Sequence, residues 1–168
     1  MFGYAWIALY QGTDHAALEK VDPASGKVLS TIPLPGELAD ANADTRSLWY
    51  LSTQGDLVQI DPLTATISHQ YSLAGSATAP ARVVPLLDSV WICDCDNGRI
   101  LRFDPSLGKV VATVNLQQKG YLIGVDSSDG ETLWLLDPAA GTLTPLDATT
   151  GEPGQPLGFG GGNVKESL

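Results

Sequence analysis

Carboxylates dominate the side chains of this sequence that could do chemistry. Against 19 acidic residues stand two histidines, His15 and His69, and two cysteines, Cys93 and Cys95. Proton transfer at neutral pH draws most readily on histidine, and hard divalent cations draw on clustered Asp, Glu and Asn. Asp94-Cys95-Asp96-Asn97-Gly98 shares its first residues with a calcium loop. The later ligands and the distal glutamate are absent, so the segment reads as a hairpin turn, for which Asn-Gly is favoured. Positions two apart in a strand lie on one face about 7 Å apart, too far for an unstrained disulfide. Cys93 and Cys95 are therefore expected to be reduced and packed as small apolar groups. The nucleophile pattern G-x-S-x-G, the phosphate loop G-x-x-x-x-G-K-[ST] and the zinc motif H-E-x-x-H do not occur.

Composition narrows the class further. Apolar residues make up 43% of 168, enough for one globular domain. The net charge of −10 and nine scattered Lys and Arg argue against a nucleic-acid partner, since a phosphate backbone needs clustered cations. No apolar run is long enough to span a bilayer, and Met1-Phe2-Gly3-Tyr4 does not read as a signal peptide.

The elements that position these side chains come from a repeat. Trp6, Trp49, Trp91 and Trp134 are separated by 43, 42 and 43 residues, each inside an apolar run. Asp22, Asp61, Asp104 and Asp147 follow them by 16, 12, 13 and 13 residues. Four positions later come Gly26, Ala65, Gly108 and Gly151. Two markers sharing one period of about 43, with strand-like contents, predict an all-β β-propeller of four blades, each a four-stranded antiparallel sheet. The third copy is the clearest. Arg82–Leu87, Ser89–Cys95, Arg99–Asp104 and Lys109–Leu116 read as its strands, with Asp104-Pro105-Ser106-Leu107-Gly108 as a turn. The tryptophan strands are apolar on both faces, as a sheet covered by neighbours on either side requires, so the rings are expected to pack between blades.

The blades run over 1–36, 37–75, 76–118 and 119–162, and 163–168 is expected to complete the first by supplying its missing strand. Counting from Trp134 through Leu168 and on from Met1 to Trp6 gives a separation of 40, close to the internal period. Three closures stay open: a four-bladed monomer, a homodimer forming an eight-bladed ring, or part of a longer propeller.

The unit quoted by Val90-Trp91-Ile92-Cys93-Asp94, Gly98–Pro105 and Gly108–Leu116, and again by Val21–Leu34, resembles the YVTN and NHL-like propellers and the streptogramin B (virginiamycin B) lyase group. That resemblance implies a propeller over nearly the whole chain; such proteins include enzymes, binding modules and cell-envelope proteins. The lyases look to need histidines and carboxylates around a divalent metal at the channel mouth, and lactonase-type propellers Glu, Asn and Asp near the axis. In this sequence Glu37, Asn42, Asp94, Asp137 and Asn163 are the residues such a site would use.

Propeller ligands bind at the channel mouth, on the loops between second and third strands and between blades. Ligand-binding candidates there are His15, Glu37, Asp94, Asp96, Asn97, Tyr121, Asp137 and Asn163, with no catalytic or metal set assigned. His69 falls in an outer strand, which leaves one usable histidine and weakens an acid–base reading. The expectation is a non-enzymatic binding or scaffold module for a protein or small-molecule ligand. It has no resident cofactor, although the mouth carboxylates would suit a divalent cation. The alternative is a partial lyase-like or metal-dependent lactonase-like enzyme.

Overall fold

The computed structural model describes residues 3–10, 15–78, 80–116, 121–123 and 132–159. They form four antiparallel sheets in chain order. The first holds β1 (Ala5–Tyr10), β2 (His15–Val21) and β3 (Val28–Pro35). The second holds β4 (Leu38–Ala43), β5 (Leu48–Ser52), β6 (Asp56–Asp61) and β7 (Thr66–Ser72). The third holds β8 (Arg82–Leu86), β9 (Ser89–Asp94), β10 (Arg99–Asp104) and β11 (Lys109–Asn115). The fourth holds β12 (Tyr121–Ile123), β13 (Thr132–Asp137), β14 (Thr142–Asp147) and β15 (Leu157–Gly158). The strand expected over 163–168 lies outside the described residues.

Three apolar clusters join successive sheets. Trp6 packs with Tyr50, Val58 and Ile60, Trp49 with Val83, Val90 and Phe103, and Trp91 with Leu133, Leu146 and Ala148. Each of these three tryptophans thus faces the sheet that follows it, the inter-blade role its spacing predicts. β5 and β9 are buried at every position, because both their faces are covered. Burying a ring such as Trp91, 0% exposed, contributes roughly 4–6 kcal/mol at about 25 cal/mol per Å².

The repeated aspartates close the turns after β2, β6, β10 and β14. Oδ1 of Asp61 accepts the N–H groups of Leu63 and Thr64 at 2.7 and 3.2 Å, and Oδ1 of Asp147 those of Thr149 and Thr150. Asp104 Oδ1 does the same with Ser106 and Leu107, and Asp22 Oδ1 accepts the Ala24 N–H at 3.0 Å. These bonds hold all four carboxyls below the ordinary aspartate range, led by the Ser25 and Ser106 hydroxyls for Asp22 and Asp104 and by backbone N–H groups for Asp61 and Asp147. The fifth turn residue is left-handed in every copy: Gly26 φ 68°, Ala65 φ 57°, Gly108 φ 63° and Gly151 φ 78°.

Cations also tie the sheets together. Lys20 on β2 is buried, lies 4.0 Å from the centre of the Tyr4 ring, and donates to the Pro62 and Leu63 carbonyls of the second sheet at 2.9 and 2.8 Å. Arg102 on β10 donates Nε to Ser89 Oγ at 2.9 Å and Nη1 to the Thr149 carbonyl of the fourth sheet.

Candidate functional site

The β5–β6, β9–β10 and β13–β14 loops and the strand-to-strand connectors between sheets gather on one face. The third sheet's loop is the most elaborate. β9 stops at Asp94, one residue short of the expected Cys95, because Asp94 (φ −93°, ψ 60°) leaves extended geometry and Cys95–Asn97 form a 3-10 turn. Gly98 ends that turn in the left-handed region, φ 63°. The turn brings the Cα atoms of Cys93 and Cys95 to 4.9 Å, and the two are joined as a disulfide. The expectation of reduced cysteines assumed a strand spacing that the chain abandons at Asp94.

Asp94 is 0% exposed. Its carboxylate accepts Asn97 Nδ2 at 2.7 Å and pairs with Arg99 Nη2. Asn97 Nδ2 also reaches Thr78 Oγ1 at 2.8 Å, tying the loop to the connector from the second sheet. Arg99 stands opposite Asp94 in the β9–β10 ladder. Asp94 and Asn97 therefore meet, and Asp94 is committed to holding the loop. Asp96, beside them, is exposed.

The other candidates stand apart from this pair. Glu37 lies on the β3–β4 connector, where its N–H donates to Gln54 Oε1 at 3.3 Å and its carbonyl accepts Thr53 N–H at 2.8 Å. Asp137 Oδ1 accepts the N–H groups of Ala139 and Ala140, both at 2.9 Å, within its own loop. His15 opens β2 opposite Pro35, and Tyr121 opens β12 opposite Leu136. Asn163 lies outside the described residues. Gln54 and Thr78 fall in the expected mouth loops Thr53–Gly55 and Ser76–Thr78 without being among the ligand-binding candidates. Arg99 was not foreseen, and its signal was an acid and a base flanking a hairpin turn at cross-strand positions.

A second polar group lies where β4 meets β8. Asp40 Oδ2 accepts Val83 N–H at 2.9 Å, Arg82 Nη1 lies 3.7 Å from Oδ1, and Asn42 Nδ2 donates to the Val83 carbonyl at 3.2 Å. Burial pushes the Asp40 carboxyl up, against the pull of the Val83 N–H and the Arg82 charge. Among the described residues no three His, Cys, Asp or Glu side chains are grouped to hold a metal ion.

The crystal structure of BamB from Moraxella catarrhalis matches this chain with a TM-score of 0.62 at 20% identity, over 92% of this chain and 49% of that one. The fold is a β-propeller. The chain spans about half the length of the BamB chain it matches. No family model matches the sequence, and no curated protein does. Each sheet is a propeller blade, and the loop face described above is the one on which a channel mouth is expected. No helix of the described propeller is long and apolar enough to cross a membrane.

Proposed function

We propose that this propeller is a non-enzymatic binding or scaffold module that offers its mouth loops to a protein or small-molecule ligand. The observation that carries the reading is the state of Asp94: a fully buried carboxylate bonded to Arg99 and Asn97 is a loop fastener. Asp137 is spent on its own loop in the same way. A carboxylate already satisfied by its neighbours has little capacity left for a substrate proton or a metal. The repeat's resemblance to YVTN and NHL-like propellers supports a scaffold. A lyase- or lactonase-like site would have to draw on the same mouth carboxylates.

Thermal unfolding with added Mg²⁺, Ca²⁺ or Zn²⁺ tests this. Ligands that bind only the folded state raise its stability by mass action, so the reading expects no saturable rise in Tm at millimolar ion. A rise that Asp94→Asn removes would favour a metal-dependent enzyme instead. Light scattering separates the three ring closures. A mass of 17.7 kDa means a monomer, and twice that a ring of two chains. Polydisperse aggregates mean a part of a longer propeller.

A further inference from the structure

On the face opposite the mouth, one repeat position changes its chemistry from blade to blade. The residue two before the turn aspartate is Lys20 in the first blade, Gln59 in the second and Arg102 in the third. Lys20 reaches the carbonyls of Pro62 and Leu63 in the second blade, and Arg102 reaches that of Thr149 in the fourth. Leu63 and Thr149 hold the same turn position, two after the aspartate, and its counterpart in the third blade is Ser106. At two of the three blade junctions, then, a cationic side chain fills the gap and ends on a turn carbonyl.

The middle junction lacks that cation. Gln59 Nε2 donates to Ser47 Oγ at 2.8 Å, the counterpart of the Arg102 Nε bond to Ser89 Oγ. Glutamine stops there, whereas arginine has a further nitrogen to send across. A cavity of about 470 Å³ opens in its place, lined by Gln59, Ser106 and the buried face of Trp49. Asp44, Asp88 and Asp104 give its walls three carboxylates against one cation, Arg46, whose Nη2 is bonded to Asp88 at 3.1 Å. Trp49 Nε1 donates to Asp44 Oδ2 at 3.1 Å, so the indole reports on this wall.

We propose that this cavity binds an external organic cation, an alkylguanidinium or alkylammonium group, in the position that Lys20 and Arg102 occupy at the flanking junctions. The ligand's N–H groups meet the Ser106 carbonyl, and its alkyl stem lies over the apolar atoms of the wall, as arginine stems do in proteins. The wall's aspartates, each already bonded to its neighbours, act only through their net negative charge. Neither the carboxylates nor the cavity would carry this alone. What carries it is that the fold twice supplies a cation at the same point from its own sequence. The site lies away from the mouth and stands whether or not the scaffold reading does.

The test is a titration of the ¹⁵N-labelled full chain with ethylguanidinium chloride, with ethylurea as the uncharged control at matched ionic strength. The Trp49 indole N–H should shift saturably, with a Kd on the order of millimolar for so small a ligand. Ethylurea should leave it unmoved. The Trp91 indole, at the junction that already holds Arg102, should not move with either. Gln59→Lys supplies the missing cation. It should raise Tm by about 2–4 °C and weaken ethylguanidinium binding at least tenfold. Should that variant fail to fold, Arg46→Ala removes the one cation in the wall and should tighten binding at least twofold. An acetyl-Gly-Arg-Gly-amide peptide separates the sources. Binding tighter than ethylguanidinium assigns the site to a partner's arginine, and equal binding assigns it to a free cation. A Trp49 signal that stays still, moves equally with ethylurea, or moves equally in Gln59→Lys overturns the proposal.

Discussion

The second and third blades close the same mouth hairpin with different chemistry. In the second, Ser52 ends β5 and Asp56 opens β6. The serine Oγ accepts Asp56 N–H at 2.8 Å and donates to Asp56 Oδ2 at 3.1 Å. In the third, with a loop one residue longer, the equivalent pair is Asp94 and Arg99, and the space holds a disulfide and the Asn97 amide. The second blade needs one neutral hydroxyl. The third buries a charge, which is tolerable only while its partner is present. An acidic residue at a propeller mouth can therefore be a fastener, and its burial and partners decide which role it has.

The sharpest way to break this contrast is Asp94→Ala, which strips Arg99 of its counter-ion. Arg99 keeps 30% side-chain exposure, so the usual cost of breaking a buried pair is reduced to about 2–3 kcal/mol. That is a fall in Tm of about 5–10 °C in a scanning experiment. Ser52→Ala, at the matching position, removes a neutral fastener and is expected to cost about 1–2 kcal/mol in urea unfolding. Transplanting the second blade's pair into the third, Asp94→Ser with Arg99→Asp, should recover stability to within about 1 kcal/mol of the parent, because a hydroxyl bonded to a carboxylate then replaces the ion pair and no buried Asp94 charge remains.

Acid should act on the face opposite the mouth. The four turn aspartates have folded-state pKa values below the ordinary 3.8, so the unfolded chain takes up protons first as the pH falls. Their contribution is complete above pH 3.8 and is lost as the pH drops through the lower folded-state values. Asp40, whose folded value is raised, acts in the opposite sense: its share is present below 3.8 and lost as the pH rises through its folded value. Four lowered groups against one raised predict a Tm that declines below about pH 3.8, checked by calorimetry from pH 5 to pH 2.5. The smallest effect is expected at Ala65, which holds φ 57° where the other three turns have glycine. Ala65→Gly should stabilise by up to about 1 kcal/mol, since only glycine takes that conformation without steric cost.

Much of the fold was legible because its signals are local and repeated. A turn opened by aspartate and closed by a left-handed residue carries its own hydrogen bonds, and a Trp inside a doubly apolar strand declares two covered faces, so four copies reinforce one another. The mouth was legible as a set of loops but not as a site. Whether Asp94 is free depends on Arg99, where the second and fourth blades have Asp56 and Thr142, and on a 3-10 turn that lets Cys93 and Cys95 meet. The fourth blade has the same loop length and an aspartate, Asp137, at the same position, but neither the arginine nor the cysteines. The Lys20, Gln59 and Arg102 position was hidden for a related reason: its residues differ in type, and only the next-blade carbonyls that Lys20 and Arg102 reach, and Gln59 does not, show what the position does. Asp40 bonds to Val83 across two blades, a pairing no local pattern encodes.

The central claim, that Asp94 is spent on holding its loop, is tested most directly by a double-mutant cycle of Asp94→Ala, Arg99→Ala and the pair, read by urea unfolding. A coupling energy of about 1.5 kcal/mol or more is predicted, as for contacting groups within one network. A coupling near zero, with Asp94→Ala as stable as the parent, would contradict it and return that carboxylate to the list of groups free to bind or react.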